Sequence, residues 1–200
     1  MADAARTLLP VTLHGTAVRL EPLTAAHAGV LAEAALDPEL WRVTVERIDD
    51  RASLDAYIAR ALAQQAAGTA LPFALVEPST GRGIGSTRFG NAELAHGRVE
   101  IGWTWVGRAW QRTRVNTEAK YLLLRHAFDT LGLTRVELKT DAINARSRAA
   151  ILRIGATEEG TLRRHTRTWD GRLRDSVYFS IIAEEWPVVR RRLEAMLAEP

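Results

Sequence analysis

An α/β fold, with a mixed and mostly antiparallel central sheet flanked by helices, follows from three observations on the sequence. Apolar residues switch between strand-like and helix-like spacing several times along the chain. A strand, a long helix and a second strand fill residues 98–140, and a crossover helix of that kind implies one parallel pair. Two strand-like runs near the end flank Asp170-Gly171, a turn signal that predicts a closing hairpin. With 200 residues, long enough to bury roughly 70% of the unfolded surface, the chain is expected to form a single domain over 1–200.

The elements follow in order. Residues 17–23 (AVRLEPL) read as a strand ending at Thr24, which is expected to cap a helix over 25–36, stopped near Asp37-Pro38. Ser53 is expected to cap a second helix, with Leu54, Tyr57, Ile58, Ala61 and Leu62 on one face, ending near Gly68. A meander follows, with strands at 71–77, 84–90 and 98–106. Val115, Ala119, Leu122, Leu123, Ala127 and Leu131 form the apolar stripe of the long helix, stopped by LGL, and 135–140 returns as a strand. The run NARSRAAILRIGA gives another helix, with Gly155 at its end. A last helix starts at Glu184, Glu185 and Trp186-Pro187.

Composition narrows the function classes. Lys+Arg 27 against Asp+Glu 24 gives a net charge of +3, too little to point to nucleic acid. The only lysines are Lys120 and Lys139; the arginine bias fits coding preference as well as function and carries little weight. With no cysteine there are no disulfides, thiolate metal sites or thiol nucleophiles, and the five histidines show no ligand spacing, so no metal is expected. His126, among leucines, reads as a partnered core or boundary residue. No run approaches the ~20 apolar residues of a membrane span, and MADAARTLLPVTLHG has no apolar stretch of signal-peptide length, so a cytoplasmic location is expected.

The stretch WQRTRVNTEAK, residues 110–120, joins strand 98–106 to the long helix and holds no carboxylate before Glu118. A helix start offers unpartnered N–H groups and the positive end of the peptide dipoles, so two arginines with hydroxyl and amide side chains there suit a phosphate. The neighbouring strands are expected to part at this point, leaving a crevice.

The same junction, with NARSRAAILRIGATEEG behind it, resembles the GNAT superfamily of acyl-CoA-dependent N-acetyltransferases, and within it the branch of the Rim-type ribosomal-protein N-terminal acetyltransferases. The resemblance covers nearly the whole chain. It implies a GNAT-like sheet splayed at the family's fourth strand, here 98–106, and acetyl-CoA as cofactor. The family's pyrophosphate loop, Gln/Arg-x-x-Gly-x-Gly/Ala, falls on Gln111, Arg112, Thr113, Arg114, Val115 and Asn116, with Thr117 next. The branch's Asn-x-x-Ser falls on Asn144 and Ser147, followed by Gly155, Ala156, Glu159 and Gly160. Arg114 stands where the family has its central glycine and is expected to swing out onto a cofactor phosphate, with Asn116 as a helix cap.

The resemblance also implies direct transfer from the thioester to an amine in a ternary complex, since a thiol relay is unavailable. A main-chain N–H around Trp105 and Val106 would receive the oxyanion. Ser147 and Tyr178 are candidates to protonate the leaving thiolate, and Asn144 to hold the pantetheine arm. Glu100 is the candidate base, acting through water, against the alternative of an ion pair with Arg98 or Arg88. Strict alternation would put Glu100, Gly102, Thr104 and Val106 on one face and Trp103 and Trp105, candidate pocket walls, on the other. The arginines of 163–174 hint at a carboxylate-bearing acceptor beside the protein N-terminus that the branch suggests. Rival readings are a catalytically degenerate acyl-CoA-binding scaffold and a ribosome- or RNA-binding module. The assembly left open is a homodimer.

Overall fold

In the computed structural model, residues 7–199 are described. The strands are β1 (Leu13–His14), β2 (Arg19–Pro22), β3 (Leu71–Val76), β4 (Gly83–Glu93), β5 (Arg98–Val106), β6 (Arg135–Asp141), β7 (Thr157–Arg167) and β8 (Leu173–Ile182). The helices are α1 (His27–Ala35), α2 (Arg51–Ala66), α3 (Arg114–Arg125), α4 (Ala145–Arg153) and α5 (Trp186–Ala198). The strands form one sheet in the order β1-β2-β3-β4-β5-β6-β8-β7. Every pair is antiparallel except β5 and β6, the parallel pair that the crossover helix predicted.

Two apolar clusters lie on opposite faces of the sheet. One packs Phe89, Val99, Ile101, Val136 and Phe179 against Leu122 and Leu123 of α3 and Leu193 of α5. The other packs Ala74 and Trp105 against Leu31 of α1 and Leu54, Tyr57 and Ile58 of α2. Full burial of each such side chain is worth roughly 1.5–3 kcal/mol, so both helix layers are tied to the sheet. His126 is buried and stacks on Phe89 at 6.2 Å, and burial pushes its imidazole below the usual pKa.

The helix starts differ from those expected. Thr24 does not cap α1; its N–H and hydroxyl both engage His27 Nδ1, at 3.0 and 2.9 Å. The cap of α2 is Asp50, which accepts from Ser53 N–H at 2.7 Å while the Ser53 hydroxyl accepts from Asp50 N–H at 3.0 Å. Thr113, not Asn116, caps α3, accepting from Val115 N–H at 3.3 Å. At its far end α3 widens into a π turn over 126–130, where Leu131 N–H donates to the His126 carbonyl. The closing hairpin has a longer loop than a two-residue turn, residues 168–172. Thr168 N–H there donates to the Arg172 carbonyl at 2.9 Å.

Glu118 of α3 is buried and accepts four hydrogen bonds from the β1–β2 turn: Thr16 N–H and Oγ1, both 2.9 Å, Ala17 N–H at 2.6 Å and Val18 N–H at 2.9 Å. A Cβ on Gly15 would lie 2.5 Å from that carboxylate, so the turn needs glycine there. Among the described residues no helix is long and apolar enough to cross a membrane. The leader reading falls partly on residues 1–6, which lie outside the described residues.

Candidate active site

Strand β5 pairs with β6 at only three positions, Arg98–Glu100 with Arg135–Glu137. Beyond Glu100 it continues to Val106 paired with β4 alone, so the sheet opens between β5 and β6. A bulge sits on this free stretch. Gly102 pairs with Arg88 and Trp105 with Ser86, leaving Trp103 and Thr104 opposite the single residue Thr87. Trp103 takes a φ of 49°, a left-handed conformation that costs a bulky residue about 1–3 kcal/mol. It is held by Tyr57 Oη, which donates to the Trp103 carbonyl at 3.4 Å, and by the Arg88 guanidinium 4.9 Å over its ring.

The bulge corrects the expected alternation. Val99 and Ile101 face the α3 side, as does Val106, and Thr104 takes a hydrogen bond from Lys120 of α3. Trp105 packs with α1 and α2, and Trp103 lies against Arg88 and over Gly90. Thr104 and Val106 are therefore across the sheet from Glu100, and Trp103 and Trp105 share its face, because one inserted residue reverses the side to which each later side chain points.

Through the gap runs a crevice of about 830 Å³, lined from one side by Trp41, Tyr57, Trp103 and Trp105 and from the other by α3 and α4. Two helix starts meet there: Thr113 and Asn116 at α3, Asn144 and Ser147 at α4. The Gln111 side chain ties them together, donating to the Val106 carbonyl at 2.9 Å and accepting from Arg146 at 2.7 Å. Asn144 caps α4 by accepting from Ser147 N–H at 3.0 Å. Arg112 takes a left-handed conformation in the loop, φ 62°.

Charge pairing within the walls is lopsided. The crevice is lined by six cations, Arg112, Lys120, Lys139, Arg146, Arg153 and Arg174, and four carboxylates, Glu39, Glu46, Glu100 and Asp141. All four carboxylates are ion-paired, to Arg42, Arg60, Lys139 and Arg172. Of the six cations only Lys139 has a carboxylate, Glu100 at 2.7 Å, among the described residues. Arg153 donates instead to Thr117 Oγ1 at 2.8 Å, and the Arg174 Nε is buried without a hydrogen-bond partner. Unpaired guanidinium groups beside two helix starts fit an anionic group such as a diphosphate.

Of the residues singled out in the sequence, Glu100, Trp105, Val106, Gln111, Arg112, Thr113, Asn116, Asn144 and Ser147 line the crevice. Arg114 does not: its guanidinium donates to the carbonyls of Leu197 and Glu199 at the end of α5, whose unpartnered oxygens compete for it. Val115 points into the core, and Thr117 is buried under Arg153. Tyr178 also lies outside the lining; its hydroxyl meets His165 Nε2 at 3.3 Å, and Lys139 Nζ sits 4.8 Å over its ring. Glu100 is buried, 6% exposed, and its Oε2 is shared by Lys139 Nζ and Asn91 Nδ2, each at 2.7 Å. The partner is thus a lysine rather than Arg98 or Arg88. Its Oε1 stands over Gly102, where a Cβ would lie 2.8 Å away.

Sequence reasoning missed Asn91, Lys120, Lys139, Arg146, Arg153 and Arg174. One signal was available for two of them: in a chain whose other basic residues are all arginine, both lysines line this crevice. Among the described residues no group of three His, Asp or Glu is placed to hold a metal.

A family model described as an acetyltransferase (GNAT) domain matches residues 17–157. The chain belongs to the GNAT acetyltransferase family. Acetyl-CoA is the acyl donor of this family, and the unpaired cations at the two helix starts suit it. A GCN5-related N-acetyltransferase from Brucella melitensis is 30% identical with a TM-score of 0.88, covering 96% of this chain and 87% of that one. Mycobacterium smegmatis RimJ, solved in complex with CoA-disulfide, is 27% identical with a TM-score of 0.77, covering 94% of this chain and 93% of that one. A curated relative, "Putative ribosomal N-acetyltransferase YdaF" of Bacillus subtilis (strain 168), is 33% identical over 96 residues, 48% of this chain. That match spans about half of the relative's length, 51%. These likenesses support acetyl-CoA-dependent N-acetyl transfer.

Proposed function

We propose that this GNAT domain passes an acetyl group from acetyl-CoA directly to a primary amine in a ternary complex, and that the amine is the N-terminus of a protein. The observation that carries the reading is the charge imbalance of the crevice, where every carboxylate is paired and five of six cations lack one. An anionic donor supplies the missing counter-charges. Gln111, Arg112, Thr113, Asn116, Asn144, Arg146, Ser147 and Arg153 would hold the diphosphate and pantetheine, while Arg114, Val115 and Thr117 serve α3 itself.

The chain's residues divide the chemistry as follows. Backbone N–H groups of β5 near Trp105 and Val106, beyond the last contact with β6, receive the oxygen on which charge develops. The free Oε1 of Glu100 orients the entering amine and receives its proton through water, while Lys139 and Asn91 fix the carboxylate from the other oxygen. Direct attack needs a neutral amine, and an α-amino group, pKa ~7.7–8.0, sheds its proton far more readily near pH 7 than a lysine side chain at ~10.4. The indoles of Trp41, Trp103 and Trp105 form an aromatic wall on the acceptor side of the crevice. The name of the YdaF relative, which mentions ribosomal acetylation, favours the same acceptor class.

The test is isothermal titration with acetyl-CoA, followed by thiol release with a panel of peptides with free N-termini, free amino acids and polyamines. Micromolar acetyl-CoA binding and release driven best by peptide N-termini are expected. Binding without release from any amine would leave an acyl-CoA scaffold, and no heat with millimolar acetyl-CoA would remove the reading altogether.

A further inference from the structure

Lys120 is an unusual cation for a folded interior. It lies on α3 beneath the opened strand, is 7% exposed, and its Nζ has one protein partner, Thr104 Oγ1 at 2.8 Å. Thr104 Oγ1 in turn lies 2.7 Å from Thr87 Oγ1. Both partners are neutral, so among the described residues the ammonium has a donor path into the crevice wall but no counter-ion.

The charged groups around it do not fill that role. Glu118, two residues back on α3, is consumed by the β1–β2 turn. Glu100 of β5 gives its Oε2 to Lys139 of β6 and to Asn91 of β4. From β4, Arg88 is stacked between Tyr57 and Trp103 and bonded to Gln64. From α4, Arg146 and Arg153 add further positive charge. With Glu100 already shared, the Lys120 ammonium has no carboxylate of its own among the described residues, and an anion that arrives in the crevice would stabilise it further.

The residue type narrows what that anion is for. A resident phosphate would be matched as well or better by arginine, which this chain uses at 25 of its 27 basic positions. What arginine cannot do is release a proton near neutrality. Burial lowers the Lys120 pKa to about 7, with the Glu100 charge acting the other way, so this amine can release one and take it back.

We propose that Lys120 is the proton donor to the sulfur of the departing coenzyme A. The proposal rests on the acetyl-CoA reading above. As the amine nitrogen forms its bond to the acetyl carbon, the carbon–sulfur bond breaks and its electron pair stays on sulfur. The sulfur takes a proton from Lys120 Nζ, giving the free thiol and a neutral lysine. The acceptor nitrogen loses its own proton through water to Glu100, which passes it on to crevice water, and Lys120 recovers one from that water before the next turnover. Tyr178 lies outside the lining, its hydroxyl against His165, and a neutral Ser147 hydroxyl is a much weaker acid than an ammonium.

The test reads ionisation of the thiol of bound coenzyme A by its ultraviolet thiolate absorbance against pH, in wild type, Lys120→Met and Lys120→Arg. In wild type the bound thiol should ionise at least ~10-fold more readily than free coenzyme A, the scale a neighbouring charge produces. Lys120→Met should abolish that shift, and Lys120→Arg, which keeps the charge, should retain it. Both variants should lose ~10²–10³-fold in kcat, within the range for a positioned general acid, with little change in KM for acetyl-CoA. An acetyl thioester with a more acidic thiol should restore much of the lost rate in Lys120→Met. If coenzyme A does not bind wild type, the acetyl-CoA reading fails. If it binds and the thiol ionises alike in wild type and Lys120→Met, the role of Lys120 is overturned.

Discussion

On the α3–α4 side of the opened sheet, Arg112, Lys120, Arg146 and Arg153 face the crevice with no carboxylate among them. On the other side, Glu100 is matched to Lys139 and Asn91, and Asp141 to Arg172. The first region carries four cations with no carboxylate among the described residues, whereas in the second both carboxylates are paired and Arg174 alone is left without one. The two lysines show the difference in one residue type. Burial acts to depress both, but around Lys139 the Glu100 carboxylate outweighs it and raises the pKa, whereas Lys120, lacking such a partner, falls to about 7. On the function proposed above, the wall that would bind the anion and the wall that would order the amine are thus distinguishable by how they treat charge.

The strongest way to break the contrast is on the matched side. Glu100→Gln strands Lys139 as a half-buried ammonium, and because removing one partner of a buried pair is costly, stability should drop by about 2–3 kcal/mol in urea unfolding at pH 7. An unchanged midpoint would mean that the pair is not matched in solution.

On the unmatched side the sign reverses. A lysine with a depressed folded-state pKa binds fewer protons folded than unfolded between about pH 7 and its ordinary 10.5, so its cost is full below pH 7 and shrinks as pH rises. Lys120→Met should therefore be no less stable than wild type at pH 6, and its advantage should narrow by up to about 1.4 kcal/mol per pH unit between pH 7 and 9. Parallel stability profiles of the two proteins would contradict an uncharged-leaning Lys120. Lys139, raised rather than lowered, contributes in the opposite sense, its stabilisation being lost only as pH climbs through its elevated folded value.

The smallest effect separates two arginines of the same mouth. Arg153→Ala should weaken coenzyme A binding ~5–10-fold, about 1 kcal/mol for one charge-assisted contact, whereas Arg114→Ala should change it less than ~2-fold, since Arg114 faces α5. Calorimetric titration of both variants decides it.

Much of the architecture was readable because it rests on local periods. Strands β3 and β5, the stripe of α3 and the parallel crossover come directly from spacing. Strand β7 was only half seen, since all of Thr157–Arg167 is exposed or nearly so and no burial pattern marks it. The site was legible where one loop makes it and obscure where distant chain segments do. Arg114 is claimed by carbonyls at Leu197 and Glu199, more than eighty residues away. The bulge at Trp103 depends on Tyr57 and Arg88 from other elements, so no alternation rule along β5 could place Thr104. Lys120 reads as an interruption of an apolar stripe until Thr104 is known to lie above it.

The Glu118 contact has a mechanical side. Its carboxylate gathers three successive amides of the β1–β2 turn, so that turn is fastened to the helix that starts at the crevice mouth. A substitution at Gly15, whose Cβ would lie 2.5 Å from that carboxylate, would therefore disturb α3 from a residue outside the crevice lining.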